Sequence, residues 1–551
     1  MKIIWLSSNR LVQTILIILY LCNMSVCAVS ARTKDHFDRG QYHYGVKQYQ
    51  KAIDDYSRAV ILDPQNYSIY YNRGLAYYEL KQYQKAIDDY STALNLDSQN
   101  HGSYYNRGLA YYELKQYQKA IDDYSAALAI CPVNEYAYNG RGLAYYDEEQ
   151  YQKAIDDYSK ALAINSMDRH AYINRGAAYD GLKEYQKAID DYSEALILDS
   201  QDDVTYYNRG LAYHQLKQDQ QAIDDYSKAL SLNPKNNGPT YLDRGIAYYE
   251  LKQYQKAIND YCKALIQDPQ DNNVTYYNRG LAYDDLNQFR KAIDDYSKAL
   301  ILDSQDNMAY YNRGLAYADL EQYQKAIDDF SKSIELNPNG AYAYDERAIT
   351  YCKLKEYQKA IDDFSKALAI DPTDWRACEC RGEARCLLEQ YQEAIDDWSK
   401  ILVLNPKNGS AYLDRGFAYD QLKQYQKAID DYSEALANLA IKSRELVDAY
   451  NNRGISYYES KQYQNAIDDC EKTIELDPKR ATAYGTRGKV YRALGQFQKA
   501  VNDCSEAIRL DPKIASYYYN RGQAYEELGE HDLAKSDLSL AEKLGYKPNE
   551  K

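Results

Sequence analysis

Several residue types recur in this sequence at spacings that could do chemistry. Adjacent aspartates such as Asp88-Asp89 look like carboxylate dyads. Neighbouring positions on a helix point about 100° apart, so the two carboxylates cannot share a proton or a cation. One of each pair has a fixed companion. Arg73 and its equivalents from Arg39 to Arg521 never vary, and neither do Asp89 and its equivalents from Asp55 to Asp537. The other aspartate does vary, becoming Asn259, Asn502 or Ser536. A planar guanidinium and a carboxylate recurring in lockstep predict a structural ion pair, Arg73 with Asp89, in every copy.

A second set is built for recognition rather than reaction. Asn72, Asn106, Asn174, Asn208, Asn278, Asn312, Asn452 and Asn520 share one slot, flanked by residues such as Tyr71, Leu75 and Tyr78. A primary amide both donates and accepts, so a row of them can pair with an extended peptide backbone whatever its side chains. Tyrosine adds contact area at low entropic cost. The same residues could instead do no more than pack one helix against the next.

Catalytic signatures are missing. The sequence holds no H-E-x-x-H, G-x-S-x-G, phosphate loop or dinucleotide fingerprint, and its six histidines are scattered. Cys378-x-Cys380-x5-Cys386 is not a metal site, since its outer thiols lie about 12 Å apart along a helix. The expectation is no enzyme, no cofactor and no metal. A net charge of −15 excludes a nucleic-acid groove, which needs concentrated basic surface.

These residues are positioned by a repeat. YYNRGLAYYELKQYQKAIDDYS occurs at Tyr70–Ser91 and again at Tyr104–Ser125, and looser copies continue to the C-terminus. With Gly74 as the marker there are fifteen copies, spaced by 34 residues apart from two steps of 35 and one of 38. Each holds two apolar stripes at helical spacing: Tyr70, Gly74, Tyr77 and Leu80, then Tyr83, Ala86, Ile87, Tyr90, Ala93 and Leu94. The polar pair Lys81-Gln82 separates them, and residues such as Pro64 and Pro132 close the copies. Each copy is therefore an antiparallel helical hairpin.

The frame Tyr70-x3-Gly74-x2-Tyr77-x8-Ala86-x3-Tyr90-x2-Ala93 resembles the tetratricopeptide repeat, with Tyr in place of the usual Trp and Arg in place of the aliphatic residue before Gly74. The resemblance covers residues 32–544. It implies an all-α fold, a right-handed superhelical solenoid whose concave groove is lined by the first helix of each pair. On that frame Tyr71, Asn72, Leu75 and Tyr78 face the groove, and the asparagine row is similar to the ladder that holds client peptides in O-linked N-acetylglucosamine transferases. The tenth and eleventh copies depart most, with Asp345, Arg376, Glu379 and Glu383 at groove slots and Trp375 beside them. Those five residues form a candidate contact patch for a basic segment. The twelve-residue stretch Ala437–Asp448 contains the four residues added in the 38-residue step and predicts a lengthened second helix. The polar last helix, with Lys535, Ser539 and Glu542, predicts a cap.

At the other end, Lys2 and Arg10 precede the apolar run Leu11–Cys22, with small residues following. The run is about half of the ~20 residues a spanning helix needs. Residues 1–31 therefore read as a secretory signal cleaved after Ala28 or Ala31, the alternative being an uncleaved membrane anchor. Residues 545–551 are a C-terminal tail. The reading is a secreted, periplasmic or cell-surface scaffold that binds protein or peptide partners without catalysis and has no membrane span once the signal is removed. A surface rod or spacer, or the regulatory or adaptor subunit of a separate enzyme, are the alternatives.

Overall fold

The computed structural model describes residues 29–235, 237–267, 272–438 and 444–547. The expected signal sequence lies almost wholly outside the described residues. The described chain is helical throughout, and the helices pair in sequence order. In the second repeat the first helix is Tyr67–Glu79 and the second is Tyr83–Leu96. Among the described residues no helix is long and apolar enough to cross a membrane.

Each hairpin closes around one tyrosine. Tyr90 is fully buried, with Ala86 and Ala93 at its sides. Gly74 is small because a Cβ there would stand 2.6 Å from Cε1 of the Tyr90 ring. The two helices join through a tight turn. Gln82 N–H donates to the Tyr77 carbonyl and Lys81 N–H to that of Tyr78, with Lys81 at φ 57°. This is a Schellman motif in which lysine takes the left-handed position usually given to glycine. Only Gly495 and Gly529 show that preference among the equivalent turns. Many first helices start on an Asn or Asp cap; Asp168, for example, accepts from the N–H groups of His170 and Ala171.

The contacts divide the chain into two compact units, one ending at Asn278 and the other starting at Arg279. Within each unit, first helices of successive repeats touch, as Tyr67–Glu79 does His101–Glu113 and as Arg444–Glu459 does Ala481–Ala493. Successive second helices stand apart. First helices therefore line the inner side of each stack.

The lengthening expected for the second helix of repeat 12 falls on residues 439–443, and its described part, Tyr425–Asn438, has 14 residues. The following first helix, Arg444–Glu459, has 16 residues against 13 in the second repeat. Its early start is stabilised by Glu445 in the first turn and by an ion pair between Asp448 and Arg480. Residues 439–443 lie outside the described residues. At the last helix, His531–Lys543, Lys535 and Glu542 take the slots that hold buried Ile87 and Leu94 in the second repeat. Charges there disfavour the stacking of a further hairpin.

Candidate functional site

The arginine before each marker glycine is the best-determined polar feature. Arg73 Nε and Nη2 donate to the two Asp89 carboxylate oxygens, each at 2.7 Å. The same two-point contact recurs in the described repeats from Arg107–Asp123 to Arg521–Asp537. Burial pushes the Asp89 carboxyl up, and Arg73 pulls it part of the way back. The guanidinium also faces the rings of Tyr70 and Tyr77, 5.6 and 6.0 Å from their centroids.

Its third arm reaches the neighbouring repeat. Arg73 Nη1 donates to Ser57 Oγ, and Arg107 Nη1 to Ser91 Oγ. The Ser91 hydroxyl donates to the Ile87 carbonyl, leaving its lone pair aimed at the arginine. One side chain therefore closes its own hairpin and ties it to the hairpin before. The first repeat is the exception. Arg39 makes a single 3.1 Å contact with Asp55, and His36 and His43, in the slots of Tyr70 and Tyr77, each stand 3.6 Å from that carboxylate.

The asparagine row is less open than its spacing promises. Asn72 Nδ2 donates to the Ser68 carbonyl one turn back in its own helix. Asn106 does the same to Gly102 and also donates to the Tyr71 hydroxyl. Asn520 donates to the Ser516 carbonyl and is only 4 % exposed, so it is not a groove residue as it stands. A short polar side chain finds its nearest acceptor four residues back. The amide oxygens of Asn72 and Asn106 remain as acceptors. Asn174, Asn208, Asn278, Asn312 and Asn452 are half-buried on the same inner stripe, as are Tyr71, Leu75 and Tyr78.

Two departures in repeat 11 have structural causes. Cys378 and Trp398 share one core, the small thiol making room for the large indole. Arg385 joins Arg381 on Asp397, which is fully buried. The other departures gather charge on the inner side of the second unit. Asp345 and Asp374 line one cavity of about 240 Å³, and burial, with Asp374 and Glu346 close by, pushes Asp345 up to about 8. Arg376 pairs loosely with Glu346 at 3.8 Å, while Trp375 is 54 % exposed. On the next first helix half-buried Asp414 is pushed up to about 7 by desolvation and by the charges of Glu383, Glu379 and Glu445. Burial also raises Glu379 and Glu383. Asp414 and Glu445 extend the predicted patch; their first helices carry no loss of repeat identity as marked as that of repeat 11.

Among the described residues no group of three or more His, Cys, Asp or Glu is placed to hold a metal ion, and the eight described cysteines are free thiols.

No curated protein matches this chain. Among solved structures it is similar to YrrB, a tetratricopeptide repeat protein described as having an unusual peptide-binding site, at 25% identity over 34% of this chain and 95% of that one, TM-score 0.31. MamA matches at 27% identity over 31% of this chain and 94% of that one, TM-score 0.30. The C-terminal part of a repeat protein from Cytophaga hutchinsonii matches at 21% identity over 45% of this chain and 99% of that one, TM-score 0.39. Family models described as tetratricopeptide repeat match residues 102–134, 135–168, 170–202, 204–236, 274–306, 308–339, 341–374 and 447–480. Related models of the same repeat match residues 40–81, 74–115, 238–271, 388–441, 488–529 and 515–544. With the Arg–Asp-locked hairpins, these matches make the chain a member of the tetratricopeptide repeat family, whose members generally mediate protein–protein interactions.

Proposed function

We propose that this protein is a non-catalytic scaffold whose inner face holds extended peptide segments, with a basic segment seated over repeats 10–13. One observation carries the reading. Glu379, Glu383, Asp414 and Glu445 come from three successive first helices, Asp414 senses the charges of the other three and Glu379 those of Glu383 and Glu445, and among the described residues none of the four forms an ion pair. Uncompensated like charges gathered on one face cost stability and are relieved by a cationic ligand. Trp375 adjoins them as an aromatic surface for the stem of a lysine or arginine.

The same proposal includes export, with residues 1–31 removed. Free thiols fit an oxidising compartment only if they are unreactive. Burial pushes Cys386, Cys470 and Cys504 up to about 12 and Cys380 to about 11. A thiol held protonated is a poor nucleophile.

The test uses the full chain and a fluorescein-labelled lysine-glycine octapeptide, read by fluorescence anisotropy at low salt. The triple variant E379Q/E383Q/D414N weakens binding at least about tenfold, a loss of about 1.4 kcal/mol. The double variant N174A/N208A separates the general groove from the acidic patch. It weakens capture of the native partner, which crosslinking from the source organism identifies, and spares the lysine peptide. A passive rod loses nothing in either variant.

A further inference from the structure

The turn that closes each hairpin brings two tyrosines together in the first four repeats. In the second repeat Tyr78 lies in the last turn of the first helix and Tyr83 opens the second. Lys81, at φ 57°, reverses the chain between them. Their rings meet edge-on, with centroids 5.3 Å apart and planes at 62°. The first, third and fourth repeats make the same contact at 5.4–5.5 Å and 57–64°. Every ring of these pairs is half-buried, so solvent reaches it. An edge-on pair needs a small further approach to join carbon to carbon, whereas the stacked Tyr519–Tyr546 pair, 4.2 Å apart with planes at 26°, lays face on face.

Ring packing alone explains the contacts but needs no base, and the stack supplies one. A carboxylate of the following repeat stands at the pairs. Glu79 acts on Tyr44 and Tyr49, Glu113 accepts from the Tyr83 hydroxyl at 3.3 Å, and Asp147 accepts from the Tyr112 hydroxyl at 2.6 Å. Burial, with Glu113 nearby, pushes the Tyr78 hydroxyl up to about 12. Such a phenol is neutral at physiological pH, so losing an electron means losing a proton as well, and a carboxylate within reach accepts it.

We propose that these turns are oxidative cross-linking sites, at which a one-electron oxidant such as a peroxide-fed haem peroxidase couples Tyr44 to Tyr49 and Tyr78 to Tyr83 as dityrosine, with the equivalent pairs in repeats 3 and 4. Each phenol gives one electron to the oxidant and one proton to the carboxylate. The two phenoxyl radicals join through the carbons ortho to their oxygens, and the protons on those carbons move to the oxygens. One C–C bond forms, two C–H bonds break, and two electrons and two protons leave in all. The link ties the two helices of a hairpin directly, whatever the inner face binds. The first repeat gains most, because Arg39 makes only a single contact with Asp55 there.

The test is light-driven oxidation of the full chain by a ruthenium tris-bipyridine complex with persulfate, followed by trypsin and mass spectrometry. Trypsin cuts at Lys47 and Lys81, between the partners, so a link appears as two joined peptides lighter than their sum by two hydrogens. The expected products are Gly40–Lys47 joined to Gln48–Lys51 and Gly74–Lys81 joined to Gln82–Lys85, in yields independent of protein concentration. Y44F keeps the ring but removes a preoriented partner, so it lowers the first product at least about tenfold and leaves the second unchanged. Repeat 5 has Asp180 in the slot of Tyr78 and gives no link between Gly176–Lys183 and Glu184–Lys187. After oxidation, hydrogen exchange over Tyr49–Leu62 slows in the wild type and not in Y44F. A yield that Y44F leaves unchanged overturns the proposal, and so does an equal yield in repeat 5. A yield that rises with protein concentration also overturns it, since that is coupling between copies through exposed tyrosines such as Tyr42 and Tyr136.

Discussion

Replacing Arg175 by methionine isolates what the arginine ladder is worth. Arg175 holds both oxygens of Asp191 at 2.7 Å and the Ser159 hydroxyl of the preceding repeat at 3.0 Å. The side chains are 20% and 8% exposed. Removing one partner of a fully buried pair costs about 3–5 kcal/mol, because a charge is left without compensation. With Arg175 one-fifth exposed the lower end applies, about 3 kcal/mol, and the lost bond to Ser159 adds about 1 kcal/mol. The double change R175M/D191L removes both charges and keeps the volume, so it costs only about 1 kcal/mol. The single variant is thus the worse of the two, although it alters fewer residues. Ser159→Ala alone costs about 1 kcal/mol.

A stack of repeats does not unfold as one two-state body, so the readout is local. Hydrogen exchange of the full chain, followed by mass spectrometry, reports on Tyr185–Leu198 and on Tyr151–Ile164. In R175M exchange through local opening quickens by at least about a hundredfold over Tyr185–Leu198, since each 1.4 kcal/mol is tenfold. In S159A it quickens about fivefold at the junction of the two repeats and stays unchanged three repeats away. If R175M and R175M/D191L exchange at the same rate, the pair has no coupling energy and the ladder is only a coincidence of geometry.

Asp345 and Asp414, with proton affinities raised to about 8 and about 7, are largely neutral at pH 6, so the lysine-glycine peptide binds more tightly as pH rises from 6 to 8.5. The stability linkage has the opposite sign. Folded values above the usual 3.8 mean that both carboxyls favour folding at acid pH, and that contribution fades between about pH 4 and 8; anisotropy and thermal midpoints across that range check both signs. Gly142→Ala drives a Cβ to 2.6 Å from the Tyr158 ring and lowers stability by about 1–3 kcal/mol. Gly454→Ala meets nothing closer than 3.4 Å and raises stability by up to about 1 kcal/mol, because Cys470 replaces the ring; thermal melts of the two variants distinguish them.

The repeat made the hairpins legible, since one period and two apolar stripes define both helices. Arg73 and Asp89 were legible as partners because neither slot varies. Ser57 was not, although serine follows the core aromatic in most repeats: its role exists only once two hairpins are stacked. The Schellman turn was hidden because lysine at Lys81 carries none of the signal that Gly495 carries. The asparagines were legible as a row, but not their preference for a carbonyl in their own helix. Arg385 serves Asp397 beside Arg381, which was not legible because the sequence cannot show that a second arginine reaches a buried carboxylate.

The division of labour between core and inner face bears on specificity. Arg, Asp and the marker glycine or alanine recur almost unchanged, so each hairpin closes and couples by the same contacts whatever its inner stripe carries. That stripe is then free to vary at little cost in fold. In the first unit repeats 2 and 3 keep it intact, Tyr71, Asn72, Leu75 and Tyr78 returning as Tyr105, Asn106, Leu109 and Tyr112, while repeat 5 carries Ile173, Asn174, Ala177 and Asp180. The slot of Asn72, Asn106, Asn174 and Asn208 is the one proposed for a backbone grip indifferent to ligand sequence. In the second unit the stripe becomes acidic over repeats 10–12, with Asp345, Glu346, Glu379, Glu383, Asp414 and Asp420, and charge is what discriminates one segment from another. On the proposed reading selectivity belongs to the second unit, and exchanging the inner residues of repeat 11 for those of repeat 3 broadens the peptides bound without altering the hairpins that present them.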